Sequence, residues 1–266
     1  MKNNELVYEF SLETNEIEFI SNTCFGQRPY LPGNGESPST NQELDKEEIQ
    51  NSLIEKGFAK FQNNTDSILI DPAIQGIIGA LVFMDSILIY KGWNEQKTIE
   101  TNANYYFASG LIVGDNSSGD DQTVSVFRNK EVLVNHLFDV TNEISSDETA
   151  NVSCKVINAE FAKIPYLIAD GGIEEATQIL ETNGFDSAKT KDFVRSLKSP
   201  QSQDTFELYQ VESGKLTFNS KATIITGFSG MWIIEQSKEQ TTTQIRAITL
   251  REIEKQIKRL IDIAIN

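Results

Sequence analysis

One histidine and two cysteines in 266 residues remove several chemistries at once. A histidine zinc site, a Ser-His-Asp triad and a Cys-His dyad would all have to draw on the same base, His136. Its neighbourhood, Leu133-Val134-Asn135-His136-Leu137-Phe138, is apolar and reads as a structural or boundary position. Cys24 and Cys154 are far apart and belong to no Cys-x-x-Cys, which supports neither a zinc cluster nor a redox pair. Two reduced thiols in a cytosolic protein is the plain reading. No Gly-x-Ser-x-Gly elbow occurs, and Asp170-Gly171-Gly172, lacking a following Gly-Lys-Ser/Thr, reads as a turn before a helix rather than a phosphate loop.

Long apolar runs are missing too. The richest stretch, Ile68 to Tyr90, is broken by Asp71, Pro72, Gln75, Asp85 and Ser86, so no transmembrane helix is expected. The opening Met1-Lys2-Asn3-Asn4-Glu5 has neither the basic nor the apolar segment of a secretory signal, and a cytoplasmic location is expected. The sequons at Asn63, Asn116 and Asn151 then read as chance matches. Basic residues are outnumbered 23 to 39, for a net charge of -16. Such a field repels phosphate backbones and anionic lipid, so neither nucleic acid nor membrane is expected as a partner.

What remains is an ordinary globular composition, 39% hydrophobic and 23% charged, in a chain long enough to fold without disulfides. Leu6 to Phe10 reads as a strand and residues 12–24 as a helix; Gly26 to Gln42, with its prolines and glycines, reads as a surface loop. A helix from Asp45 places Ile49, Leu53 and Ile54 on one face and stops at Gly57-Phe58; Asp71-Pro72 opens another after a polar turn. Ser86 to Tyr90, Asn104 to Val113 and Thr123 to Phe127 form an antiparallel meander, with Gly114 to Asp121 as the turn before its last strand. Lys130 to Ile144 fits a helix by the spacing of Leu133, Leu137, Val140 and Ile144, although Glu131 to Val134 also fits a strand.

After the polar linker Ser145 to Asn151 the order restarts. Val152 to Ile157 reads as a strand, Ile173 to Asn183 and Ser187 to Leu197 as helices, and Pro200 as the start of a polar connection. Phe206 to Tyr209, Ala222 to Ile234 and Gln244 to Ile248 follow as strands, then a last helix capped by Thr249. Residues recur as well as elements. Leu53 to Phe58 and Leu180 to Phe185 are both Leu-x-x-x-Gly-Phe, and Asp85 to Tyr90 resembles Asp204 to Tyr209. Taken singly, Leu-x-x-x-Gly-Phe is a common helix ending. Taken in order, the matches indicate an α+β chain of two pseudo-symmetric halves, residues 1–146 and 147–266, each a helix pair on an antiparallel meander.

No constellation points to catalysis. Glu174, Glu175 and Glu181 read as an acidic helix, those in its first turn as helix-dipole partners, and Asp115, Asp120 and Asp121 lack the ligand spacing of an EF-hand. No catalytic residue, metal site or cofactor is expected. The candidate surface is aromatic and apolar: Phe228-Ser229-Gly230-Met231-Trp232, Trp93 and Tyr105-Tyr106-Phe107, with core packing as the competing reading for each.

The strand, helix and Pro-rich exit of Phe10 to Pro32, the two Leu-x-x-x-Gly-Phe helices, Phe193 to Pro200 before a meander, Gly230-Met231-Trp232 in a late strand, and a closing helix through Ile253, Ile257, Leu260 and Ile261 together resemble the EspG-type chaperones of type VII secretion. The Asn- and Lys-rich composition is more like a Gram-positive firmicute than the actinobacteria where that family is best known. The resemblance implies a cytoplasmic chaperone that covers the helical tip of a secretion substrate and keeps it soluble until the secretion ATPase takes it. It implies contacts on the sheet, on the Gly114 to Gln122 loop and on the helix Ser187 to Leu197; the candidate residues within these regions are Asp115, Asp120, Asp121, Phe193, Phe228, Met231 and Trp232. Two other readings compete: an immunity or inhibitor protein masking a basic toxin site, and a hydrolase built on carboxylates or His136.

Overall fold

Helix boundaries in this chain are set by local polar groups that satisfy backbone ends. In the computed structural model, residues 6–32, 46–62, 67–94, 97–118, 121–141, 152–227 and 230–266 are described. Strand β1 (Leu6–Glu13) passes directly into α1 (Thr14–Phe25), because Glu13 and Glu16 form a reciprocal capping box. Gly26 ends α1 in the left-handed conformation. Then come α2 (Lys46–Glu55), β2 (Ala59–Phe61), β3 (Ile68–Ile70) and α3 (Pro72–Val82). The last starts on an Asp71 cap that accepts from the Ala73 amide, with Pro72 where no amide is missed.

The meander follows as β4 (Ser86–Asn94), β5 (Lys97–Ala108), β6 (Leu111–Ser118) and β7 (Asp121–Phe127), then α4 (Lys130–Thr141). The chain continues with β8 (Ser153–Ile157), α5 (Asn158–Phe161), α6 (Ile164–Ala169), α7 (Ile173–Thr182) and α8 (Ser187–Lys198). It ends with β9 (Ser202–Glu212), β10 (Lys215–Gly227), β11 (Gly230–Ser237), β12 (Thr242–Ile248) and α9 (Leu250–Ile265). The fold class is α+β with antiparallel strand pairing, as the sequence indicates.

Two compact units divide these elements. The first holds the chain up to Ile87 together with Ala103–Val132; the second holds Leu88–Asn102 and Leu133–Ala264. In the first, β1, β7, β6 and the end of β5 lie in that order, with antiparallel register Phe10↔Val124 and Tyr106↔Val113. Helices α1, α2 and α3 bury Ile17, Ile20, Leu53, Ile74 and Ile78. In the second, the order is β4, β9, β10, β11, β12, β8, and α5 to α8 cover a core containing Leu180, Phe185, Phe193 and Trp232. A Thr249–Glu252 capping box starts α9, which buries Ile253, Ile257, Leu260 and Ile261.

Both Leu-x-x-x-Gly-Phe motifs close a helix in the same way. Gly57 and Gly184 take φ of 76° and 85°. The Phe58 amide donates to the Leu53 carbonyl at 2.8 Å, and the Phe185 amide to that of Leu180 at 3.1 Å. This six-to-one bond is the Schellman cap, and it accounts for each motif by itself. The other repeated pair differs in surroundings: Asp85 is exposed and accepts from the Ser109 amide, whereas Asp204 is buried inside β9.

Several boundaries depart from the sequence expectation. Asn104 to Val113 is two strands, because Ser109 and Gly110 both adopt positive φ and reverse the chain. Ala222 to Ile234 is likewise a hairpin, with Gly227 facing Gly230 across its end. Gly114 to Asp121 is mostly strand, β6 continuing to Ser118 because Asn116 and Ser117 pair with Thr123 and Gln122. The polar turn after Phe58 contains the small β2–β3 hairpin, and the connection after Pro200 enters β9 at Ser202. Lys130 to Thr141 is helix, as periodicity favours. Most of the Gly26 to Gln42 loop and the whole Ser145 to Asn151 linker lie outside the described residues.

Candidate functional site

Most of the aromatic and apolar residues expected on a docking surface are core. Phe193, Met231 and Trp232 have exposures of 0%, 3% and 2%. Phe193 on α8 packs on Trp232 of β11 with ring centroids 5.3 Å apart, and Phe185 meets both rings edge-on. Such a cluster contributes by exclusion from water and by its edge-to-face geometry. No partner reaches it without opening the second unit. Tyr105, Tyr106 and Phe107 are also buried, while Trp93 is exposed. Phe228 and Asp120 lie outside the described residues, and Asp121 opens β7 opposite Ser118 and Glu13.

Asp115 is not a loop carboxylate. It sits in β6 opposite Asn104 and is buried, and that burial pushes its carboxyl up to about 6, with Asn104 and Tyr106 partly offsetting the rise. Asp204 in the second unit is in the same condition, raised to about 6 by burial and held back by the Tyr90 hydroxyl, which donates to Asp204 Oδ1 at 2.8 Å. Both groups bind a proton more tightly folded than unfolded. Between about pH 4 and pH 6 the folded state therefore carries the extra proton, and stability falls as pH rises through that window. Asp204→Asn keeps an acceptor for Tyr90 without the charge. It is expected to be more stable than the parent at pH 7.5, on the order of 2 kcal/mol, with the difference vanishing below about pH 4. Urea denaturation across that range checks this.

The structure brings together a different set of residues, on α7 and α8. Asp186 caps α8 by accepting from the amides of Ala188 and Lys189, and Ser196 on its inner face meets Gly227 of β10. With Thr190, Phe193, Val194 and Ser196 turned inward, Lys191, Arg195 and Lys198 face outward at i, i+4 and i+7. On α7, burial of Ala176 and Leu180 turns Glu174, Gln178 and Glu181 outward. Between the two rows runs a groove of about 530 Å³, a size typical of binding sites, with the half-buried Ile173 as its accessible apolar residue and the buried Val194 beneath. One wall is acidic and the other basic. A second depression, about 510 Å³ along α9 between Lys255, Lys258 and Arg259, has Ile263 as its single apolar lining residue.

The helix read at Ser187 to Leu197 thus forms one wall of the groove, through its charged face and not through Phe193. The signal was in the sequence: Lys191, Arg195 and Lys198 form a stripe of helical period in a strongly acidic chain. His136 is exposed on α4, and among the described residues no three His, Cys, Asp or Glu side chains cluster as a metal site. Among the described residues, too, no helix is long and apolar enough to cross a membrane.

No family model matches the sequence, and no curated protein matches it. The fold does have a counterpart among solved structures. The Mycobacterium tuberculosis type VII secretion system chaperone EspG5, solved in complex with the PE25–PPE41 dimer, superposes with a TM-score of 0.67 over 96% of this chain and 96% of that chain, at 13% sequence identity. The architecture described above is therefore EspG-like.

Proposed function

We propose that this chain is a cytoplasmic, non-enzymatic chaperone of a type VII secretion system, which binds a helical secretion substrate and keeps it soluble for export. The observation that carries this reading is the likeness to the EspG5 chaperone along nearly the whole of both chains. The α7–α8 groove is the docking site. Its lining offers apolar contact at the half-buried Ile173 and along the aliphatic stems of the rim side chains, and its charged rims keep the free protein from presenting a bare hydrophobic patch. The net charge of -16 serves the same end, holding an aggregation-prone cargo in solution through repulsion between complexes. No cofactor takes part.

The experiment is co-expression with candidate helical-hairpin secretion substrates. A chaperone brings such a substrate into the soluble fraction and co-elutes with it. Binding instead to the catalytic domain of a toxin, with loss of the toxin's activity, would establish the immunity reading in its place.

A further inference from the structure

The charges on the groove walls are sorted. Glu174 and Glu181 are two turns apart on one side of α7, and Lys191, Arg195 and Lys198 occupy the facing side of α8. Opposite charges on two packed helices ordinarily pair when they reach each other. Here they do not: among the described residues no ion pair crosses the groove. The Glu181 carboxylate accepts from the Ser187 hydroxyl, and the one pair along α8 is Lys189 with Asp192, on the helix itself. Each wall keeps its charge for whatever lies between.

We propose that this charge order fixes the direction in which a helix docks. The inference rests on the groove being the docking site. Its occupant is an amphipathic α-helix of a partner protein, with an apolar ridge on Ile173 and the aliphatic stems beside it, an acidic row against Lys191, Arg195 and Lys198, and a basic row against Glu174 and Glu181. A third helix set on a helix pair has two end-to-end orientations that keep its ridge on the floor. Turning it from one to the other exchanges its two edges. One orientation then meets opposite charge on both sides and the other meets like charge on both sides, so a helix with sorted edges binds in one sense only. A helix charged alike on both edges has no such preference.

Two synthetic helical peptides of identical composition test this. Both carry a leucine ridge; one has Glu along the first edge and Lys along the second, and the other has the two exchanged. Each bears a benzophenone at its N-terminus, and cross-linked residues are identified by mass spectrometry. Both peptides are expected to label the groove at opposite ends, one near Glu174 and Lys198, the other near Glu181 and Lys191. In the triple variant K191E/R195E/K198E, a change of exposed residues, both walls are acidic. Sorted peptides should then bind roughly tenfold more weakly, label both ends, and lose to a peptide with Lys on both edges. If both peptides label the same end of the parent protein, or both ends equally, charge order does not set direction, while the docking reading stands. If neither peptide labels the groove, both ideas fail.

Discussion

Gly227→Ala is expected to lower the melting temperature by about 10 °C, the equivalent of roughly 3 kcal/mol in a chain of this size. A Cβ at this position would lie 2.1 Å from Ser196 Oγ, 2.7 Å from Ser196 Cβ and 3.2 Å from Ser196 Cα. The last is backbone, so a rotamer change at Ser196 does not clear the space. Helix α8 must move off β10, and with it Phe193, whose ring is wedged between Phe185 and Trp232. The same movement separates the groove walls, so cargo binding is expected to fall with stability. Ser196→Gly removes the two nearest atoms at the expense of roughly 0.5 kcal/mol of helix propensity. The double variant should therefore be more stable than Gly227→Ala alone, a non-additivity that thermal denaturation of the four proteins reads directly. An unchanged melting temperature in the single variant would show that α8 does not rest on this contact.

Lys56→Met is expected to destabilise the first unit by about 3 kcal/mol, and more than Glu16→Gln does. Glu16 is almost wholly buried at 1% exposure, while the Lys56 side chain is 32% exposed. Both carboxylate oxygens of Glu16 accept from Lys56 Nζ, at 2.8 and 2.6 Å, and they also accept from Ser52 Oγ and the Glu13 amide. Removing the lysine leaves a carboxylate that cannot reach water. Neutralising the carboxylate leaves a lysine that can, and the substituted glutamine side chain still offers one acceptor and a hydrogen-bonding amide. The asymmetry distinguishes a buried anion stapling α1 to α2 from an ordinary surface pair, for which both substitutions would cost well under 1 kcal/mol. Urea midpoints of the two variants and of the double variant decide between them.

How much of this was legible in the sequence depended on whether the deciding interaction was local. Helix ends were readable because their determinants sit within a few residues: Asp71-Pro72, the Gly57 and Gly184 caps, and Thr249 with Glu252 all act on their own backbone. Two turns were passed over despite their markers. Ser109-Gly110 and Ser229-Gly230 are turn-marking dipeptides, but the apolar runs continue on either side of them, and each hairpin read as one strand. Exposure was the least legible property. In β11, Met231, Trp232, Ile233 and Ile234 are all buried, on both faces of the strand, and alternation carries no sign of which face meets solvent when neither does. For that reason Met231 and Trp232 passed as docking residues; Phe193 entered with the helix Ser187 to Leu197 that the family resemblance implied. The groove followed the opposite rule: its floor depends on tertiary packing, but its Lys191, Arg195 and Lys198 wall is a periodic stripe, readable once α8 is known to lie beside α7.

The most direct test of the chaperone reading is hydrogen–deuterium exchange on the purified complex with a co-expressed helical-hairpin substrate, compared with the free chain. Docking in the groove predicts slowed exchange in peptides covering Ile173–Thr182 and Ser187–Lys198, with the exposed turns of the first unit unchanged. Protection confined to other elements would contradict docking in the groove, and a substrate that stays insoluble and never co-elutes would contradict the chaperone reading itself.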